Sequence, residues 1–360
     1  RQRRVVEQRY LTAASLLDDT PLTLDTASGV YVPRDYDQDY KGAVSVRTAL
    51  AGSLNVPAVR ALMLTGVETF RDRLNAFGFD GIDREGAWYG YSLALGSAEV
   101  SLWEQARAYR ALARGGEVGE LRVVPGASQV APRRAALDTA SFVVADILAD
   151  RGARAVTFGL DSALATPYWS AVKTGTSKDL RDNWCIGFTR DYTVAVWVGN
   201  FEGDSMRGVS GVSGAAPAWR EILDALQTGQ PSRAPVAPPG LQRQSLRFAG
   251  TAELRREEWF LDGTAPGDTI RPVAAASRIA RISNPVNGMV IAIDPDIPAT
   301  VQRVPFTTDG VAPGHSLVLD DRPLGAIGKP VLWQPTRGAH RLALADANGR
   351  VLDRVFFTVR

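Results

Sequence analysis

Lys173-Thr174-Gly175-Thr176 is a run suited to holding a carboxylate. The lysine supplies positive charge, and the Thr174 and Thr176 hydroxyls can hydrogen-bond the same group. Gly175 has no Cβ, so a ligand or another backbone can come close. Ser53-Leu54-Asn55 is a second polar cluster, placed between two expected helices, where the hydroxyl and carboxamide can face a cleft. Each tripeptide also has a plainer explanation. Lys-Thr-Gly recurs by chance, and Ser53 and Asn55 are good capping residues, with Asn55 suited to the helix that follows. Lysine is scarce in this chain: of 41 basic residues only four are lysine (Lys41, Lys173, Lys178, Lys329), which sets Lys173 apart.

The elements that must position these groups are legible as a mixed α+β pattern. Val46 to Gly52 reads as a short helix, and the next starts near Asn55 with Pro57 in its first turn. Phe70, Leu74 and Phe77 recur at helical spacing up to Gly78. Ser101 and Glu104 form a capping-box pattern ahead of Leu102, Ala106, Tyr109 and Ala113. Phe142 to Leu148 continues the helical set. Trp169–Lys173, Trp184–Thr189 and Thr193–Val198 read as strands, the last two joined as a hairpin through Arg190-Asp191-Tyr192. A helix follows over Trp219 to Leu226. Four prolines between Gly229 and Gly240 then mark an extended linker. From about Ile279 the pattern becomes short β-branched strands, with Asn348-Gly349 as a hairpin turn. The expected layout is an α+β domain over 1–228, a Pro-rich linker and connecting segment over 229–278, and an all-β sandwich over 279–360.

Composition narrows the function classes. An apolar content of 45% excludes a wholly disordered chain. A net charge of +2 gives no reason to expect nucleic acid as a partner. Cys185 stands alone, which excludes an internal disulfide, and with only His315 and His340 beside it no metal site is expected. No run has the roughly 18 apolar residues of a membrane span. The opening Arg1-Gln2-Arg3-Arg4 has neither an initiator Met nor a signal-peptide core, so any membrane anchor is expected upstream.

Ser-x-x-Lys, Ser-Asp-Asn and Lys-Thr-Gly together form the signature of penicillin-recognising serine enzymes, and Ser53-Leu54-Asn55 keeps the outer two residues of the second. With the second and third motifs in place, the chain resembles the transpeptidase domain of class A penicillin-binding proteins. Leu93-Ala94-Leu95-Gly96, Trp197-Val198-Gly199-Asn200 and Gly214-Ala215-Ala216-Pro217-Ala218-Trp219 resemble landmarks of that domain. Ala14 to Asp19, Ser45 to Pro57, Glu258 to Thr264 and the sandwich from Ile282-Ser283-Asn284-Pro285 are similar to the 1C subgroup. The resemblance implies a penicillin-binding transpeptidase / serine β-lactamase-like fold. It implies serine acyl transfer on D-Ala-D-Ala stem peptides of peptidoglycan, on the periplasmic side of the bacterial inner membrane. β-Lactams and cell-wall synthesis proteins are the implied partners, and no cofactor is called for.

By the same resemblance, Ser53 shuttles protons toward the leaving amine and Asn55 positions substrate amides. Lys173 holds the relay and anchors the terminal carboxylate, while Thr174 and Thr176 bind its oxygens. The Thr176 N–H supplies half of an oxyanion hole. The departure is the nucleophile. The only Ser-x-x-Lys in the chain is Ser170-Ala171-Val172-Lys173. It falls on an expected strand, where residues three apart face opposite sides. The family pattern puts the true motif just upstream of Arg1, so the fold is expected to be incomplete and without a nucleophile. Two rival readings remain: a D,D-carboxypeptidase or β-lactamase-like hydrolase, and a non-catalytic peptidoglycan-binding scaffold. Elsewhere the expectations are plainer. Trp184, Trp197, Trp219 and Cys185 are core, and His315 and His340 decorate the sandwich surface. Arg181-Asp182 is a local ion pair, and Trp259 and Phe260 are candidates for an interdomain contact.

Overall fold

A computed structural model describes residues 11–26, 29–35, 39–126, 130–177, 180–272, 280–291, 293, 302–311, 314–326 and 331–360. Lys178, Lys329, residues 1–10 and the 273–278 part of the connecting segment lie outside the described residues. The chain forms two compact units, Arg1–Pro272 and Val273–Arg360.

In the first unit, strands β1 (Leu16–Asp19) and β2 (Gly42–Ser45) pair antiparallel and lead into helix α1 (Val46–Ala51). Ser45 caps α1 by accepting from the Thr48 N–H. After Gly52 come α2 (Asn55–Thr65), α3 (Val67–Ala76), α4 (Leu102–Ala113), α5 (Asp138–Ala149) and α6 (Arg151–Phe158). The capping box expected before α4 is present, Ser101 and Glu104 bonding reciprocally. A three-stranded antiparallel sheet follows in the order β3 (Ala171–Thr176), β4 (Asp182–Phe188), β5 (Thr193–Gly199). Alternation sorts its side chains. Val172, Cys185 and Val194 pack with Trp219 and Leu223 of α7 (Ala216–Leu226). Ala171 and Phe188 pack on the other side against Val144 and Leu148 of α5. Lys173 shares a face with Ala171 and so looks toward the helices. Among the described residues β3 is an edge strand.

The boundary differs from the expected one. Leu241 to Ile270 is not a connecting segment but a sheet of β6 (Leu241–Phe248), β7 (Arg256–Leu261) and β8 (Thr269–Ile270), and it belongs to the first unit. Charge fastens it there. Arg47 of α1 donates from Nε to Glu258 at 2.7 Å and also bonds Asp146 at 2.6 Å and Asp150 at 3.1 Å. Glu258 is fully buried, and these bonds replace the water both ions have lost. Trp259 sets its ring edge-on to Phe142, 5.4 Å between centroids, and Phe260 is buried beside Ala14 and Leu246. Both aromatics thus pack within the first unit.

The second unit is a β-sandwich. One sheet orders β9 (Arg281–Asn284), β11 (Val304–Asp309) and β14 (Val331–Trp333). The other orders β10 (Met289–Ile291), β16 (Val351–Val359), β15 (Gly338–Ala345), β12 (Ser316–Leu319) and β13 (Arg322–Ala326). Ile282 and Phe306 from the first sheet meet Leu317, Leu342, Leu344 and Phe357 from the second. His340 is not a surface residue. It is buried against Trp333 and Phe357, with Nδ1 at 2.7 Å from Asp320 and Nε2 at 2.7 Å from the Thr336 carbonyl. A buried ring with both nitrogens on acceptors is a structural tie across the sheet edge.

Candidate active site

The corner between α1 and α2 sets the first group. Gly52 closes α1, and an added Cβ there would stand 2.7 Å from Val156 and 2.8 Å from the Thr48 carbonyl. Ser53 follows with φ 59°, in the left-handed region that costs a non-glycine residue roughly 1–2 kcal/mol. Leu54 is buried and anchors the corner. The result aims Ser53 at the sheet. Lys173 Nζ lies 2.5 Å from Ser53 Oγ and 2.7 Å from the Thr174 carbonyl.

Asn55 does not cap α2 with its side chain; Leu54 is the cap residue and provides no side-chain bond. Asp35 does that work from a separate loop, its Oδ1 accepting from the Asn55 N–H at 2.5 Å and the Val56 N–H at 3.2 Å. The Asn55 amide donates to the Arg34 carbonyl at 2.8 Å. Thr176 Oγ1 accepts from the Gly211 N–H at 2.9 Å. Gly211 opens a π turn, Gly211–Ala215, against the Lys-Thr-Gly strand, and a Cβ on it would stand 2.7 Å from the Gly175 carbonyl. At Gly175 an added Cβ would reach the Trp184 side chain at 3.5 Å, ordinary contact, so the glycine requirement is stronger at Gly211.

Ser53, Asn55, Lys173, Thr174, Gly175 and Thr176 all line one cavity of about 440 Å³. Its deeper wall is apolar, with Leu50, Leu62, Phe70, Phe77, Phe79 and Leu112 among the lining residues. Burial lowers the Lys173 pKa to about 8, and Arg154 pushes the same way. Arg154 is itself buried and donates to the Leu148 and Leu164 carbonyls. A protonated Lys173 donates to Ser53 Oγ and leaves the hydroxyl hydrogen free for the cavity; a neutral Lys173 accepts that hydrogen. The pair can therefore pass a proton in either direction near neutral pH.

Ser170 takes no part. It is buried, bonds Thr166 Oγ1 at 2.9 Å and does not line the cavity. The hydroxyls that do line it, Ser53, Tyr109, Thr157, Thr174 and Thr176, are none of them followed three residues later by lysine. Trp219 and Cys185 are core as expected, whereas Trp184 and Trp197 are half-buried and 6.3 Å apart, with Trp197 Nε1 bonded to Asp182. Asp35, Arg154 and Gly211 were not singled out from sequence. No local pattern marks the first two, and only the proximity of Gly211 to Gly214-Ala215-Ala216-Pro217 hinted at the third. Among the described residues no cluster of His, Cys, Asp and Glu has the makeup of a metal site.

A corner serine, a lysine on an edge strand and the Lys-Thr-Gly run thus meet at one cavity. The family described as Penicillin binding protein transpeptidase domain matches residues 7–224, and the chain belongs to it. Residues 271–357 match the Penicillin-Binding Protein C-terminus Family. Penicillin-binding protein 1C of Escherichia coli (strain K12) is 31% identical over 279 residues, 74% of this chain and 35% of that protein. The two matched domains and this likeness agree with a 1C-type C-terminal part. The chain spans about a third of the length of the curated relatives it matches. A crystal structure of penicillin-binding protein 1A from Haemophilus influenzae has the same fold, with TM-score 0.61 and 22% identity over 74% of this chain and 48% of that one. Penicillin-binding protein A from M. tuberculosis, solved as an imipenem acyl-enzyme complex, aligns with TM-score 0.50 and 20% identity over 62% of this chain and 58% of that one.

Proposed function

We propose that this chain is the substrate-holding part of a peptidoglycan D,D-transpeptidase whose nucleophile is supplied by sequence outside it. The observation that carries the reading is the 2.5 Å approach of Lys173 to Ser53 at a cavity also lined by Asn55 and the Lys-Thr-Gly strand. In the reaction, a serine hydroxyl oxygen bonds the penultimate D-Ala carbonyl carbon. The C–N bond to the terminal D-Ala breaks, and the serine proton passes through Ser53 to the departing amine. An acceptor amine from a neighbouring strand then bonds the same carbon, the ester C–O bond breaks and the serine is regenerated. Lys173 holds Ser53 and, with Thr174 and Thr176, attracts the terminal carboxylate, while the Thr176 N–H takes part of the oxyanion charge. Asn55 orients the substrate amides, and Gly175 leaves room along the strand. Such chemistry belongs on the periplasmic face of the inner membrane, beside other cell-wall synthesis proteins.

A second reading, a peptidoglycan-binding scaffold, is favoured by one fact: the chain has no Ser-x-x-Lys outside a strand. Both readings expect this chain alone to form no covalent adduct with a fluorescent penicillin, as measured by intact mass. Adding the upstream segment with its Ser-x-x-Lys restores labelling only in the transpeptidase reading. An adduct on Ser53 in the chain alone would sink both.

A further inference from the structure

Two carboxyl groups meet under the start of α2, out of reach of solvent. Asp19 ends β1 and is 0% exposed, and Asp35 is 3% exposed. Asp19 Oδ2 accepts from the Lys41 N–H at 2.7 Å. Asp35 Oδ1 accepts from Asn55 and Val56, the first two residues of α2. That leaves Asp19 Oδ1 and Asp35 Oδ2, both buried, and among the described residues no N–H or O–H reaches either. The Asp35 carboxyl adjoins Asp19 closely enough to act on it both as a hydrogen-bonding group and as a charge. Two ionised carboxylates are acceptors only and repel at such range, whereas one proton between them satisfies both orphan oxygens.

We propose that Asp19 and Asp35 share one proton, and that this acid pair positions the first turn of α2, and through it Ser53 and Asn55. Its importance for catalysis rests on the functional reading above; its effect on the fold does not. Asp35 replaces the missing side-chain cap of α2. Held by the proton, Asp35 is fixed from behind; without it, repulsion drives Asp35 away from the amides it caps. The charged and titratable groups around the pair are consistent with this. Lys41 and Tyr40 lie on the strand approach, with the Lys41 ammonium on Asp39, and Arg34 precedes Asp35. On the facing side of α2, Arg60 is engaged 3.6 Å from Asp18. Burial, then the adjoining Asp35 carboxyl, pushes Asp19 up to about 7. An acid raised in the folded state binds an extra proton there between its ordinary value near 4 and about 7. Stability from the pair is therefore full at low pH and is lost as pH rises through that window.

The test compares wild type with Asp35→Asn from pH 5 to 9, by thermal unfolding and by hydrogen exchange at the Asn55 and Val56 amides. In Asp35→Asn the carboxamide oxygen still accepts from both amides, and its NH₂ donates to an ionised Asp19. Wild type should lose protection at both amides by about ten-fold from pH 6 to 8 after correction for base catalysis. Asp35→Asn should hold its protection across the range and be at least as stable as wild type at pH 8. A flat wild-type profile, or the same step in Asp35→Asn, overturns the proposal. If Asp35→Asn does not fold, Asp19→Asn is the second variant, since its amide donates to Asp35 while its oxygen still accepts from Lys41. Failure of both to fold overturns it as well. A pH step present in a protein that takes no penicillin even with the upstream segment added would count against the functional reading alone.

Discussion

The two units hide different things. The sandwich encloses an apolar core, Phe306 and Ile282 against Leu317, Leu342, Leu344 and Phe357, with His340 tied at its margin. The transpeptidase unit buries Asp19, Asp35, Arg47, Arg154 and Glu258, splits its apolar residues into several clusters and leaves a cavity beside Lys173. An apolar core of that kind can be made of alternating strands alone. A site must keep polar groups dry, aimed and next to unfilled space, so each buried charge requires a partner from elsewhere in the chain.

That contrast can be broken most sharply at Glu258. Glu258→Ala leaves the Arg47 guanidinium buried with only Asp146 and Asp150, and the first unit should lose about 3–5 kcal/mol in urea unfolding. If a joint Arg47→Met and Glu258→Leu replacement proves as stable as wild type, apolar packing serves both units equally and the contrast weakens. In the sandwich, Leu342→Ala, at a fully buried position, should cost about 2–5 kcal/mol, read from the unfolding transition of that unit. A loss there below 1 kcal/mol would mean the sandwich core is no tighter than the site. The smallest effect is expected at Lys173. Since burial lowers its pKa to about 8, the unfolded chain holds more protons between about 8 and 10.5, and stability rises with pH across that interval. Lys173→Met should therefore be more stable than wild type below pH 8, by on the order of 1 kcal/mol, with the gap closing toward pH 10.5. A gap independent of pH would show that the ammonium is better solvated than its position suggests.

Legibility from sequence follows the same division. In the second unit, alternation and the Asn348-Gly349 turn are local signals, and strands β15 and β16 do lie on either side of that turn. In the first unit most helices were legible from their apolar spacing, α6 excepted. The sheet from Leu241 to Ile270 was not, since its strands expose many polar side chains and its hold on the domain is a long-range ion pair with Arg47. Ser53 and Lys173 were found through motifs. Asp35 could not be, because its partners Asn55 and Asp19 are far from it in sequence and meet it only in the fold.

The attachment of the Leu241–Ile270 sheet changes what the proline-rich stretch is. Ser232 is pinned within it, its carbonyl accepting from Trp169 and its hydroxyl from Arg190. On the far side, Arg47, itself bonded to Asp146 and Asp150, grips Glu258, and Phe142 meets Trp259. Cutting the peptide at the exposed Arg233-Ala234 bond would then yield two polypeptides but one body. The sheet would stay docked as a non-covalent complement and separate only in denaturant, so the stretch joins parts of a single folding unit and is no place to divide it.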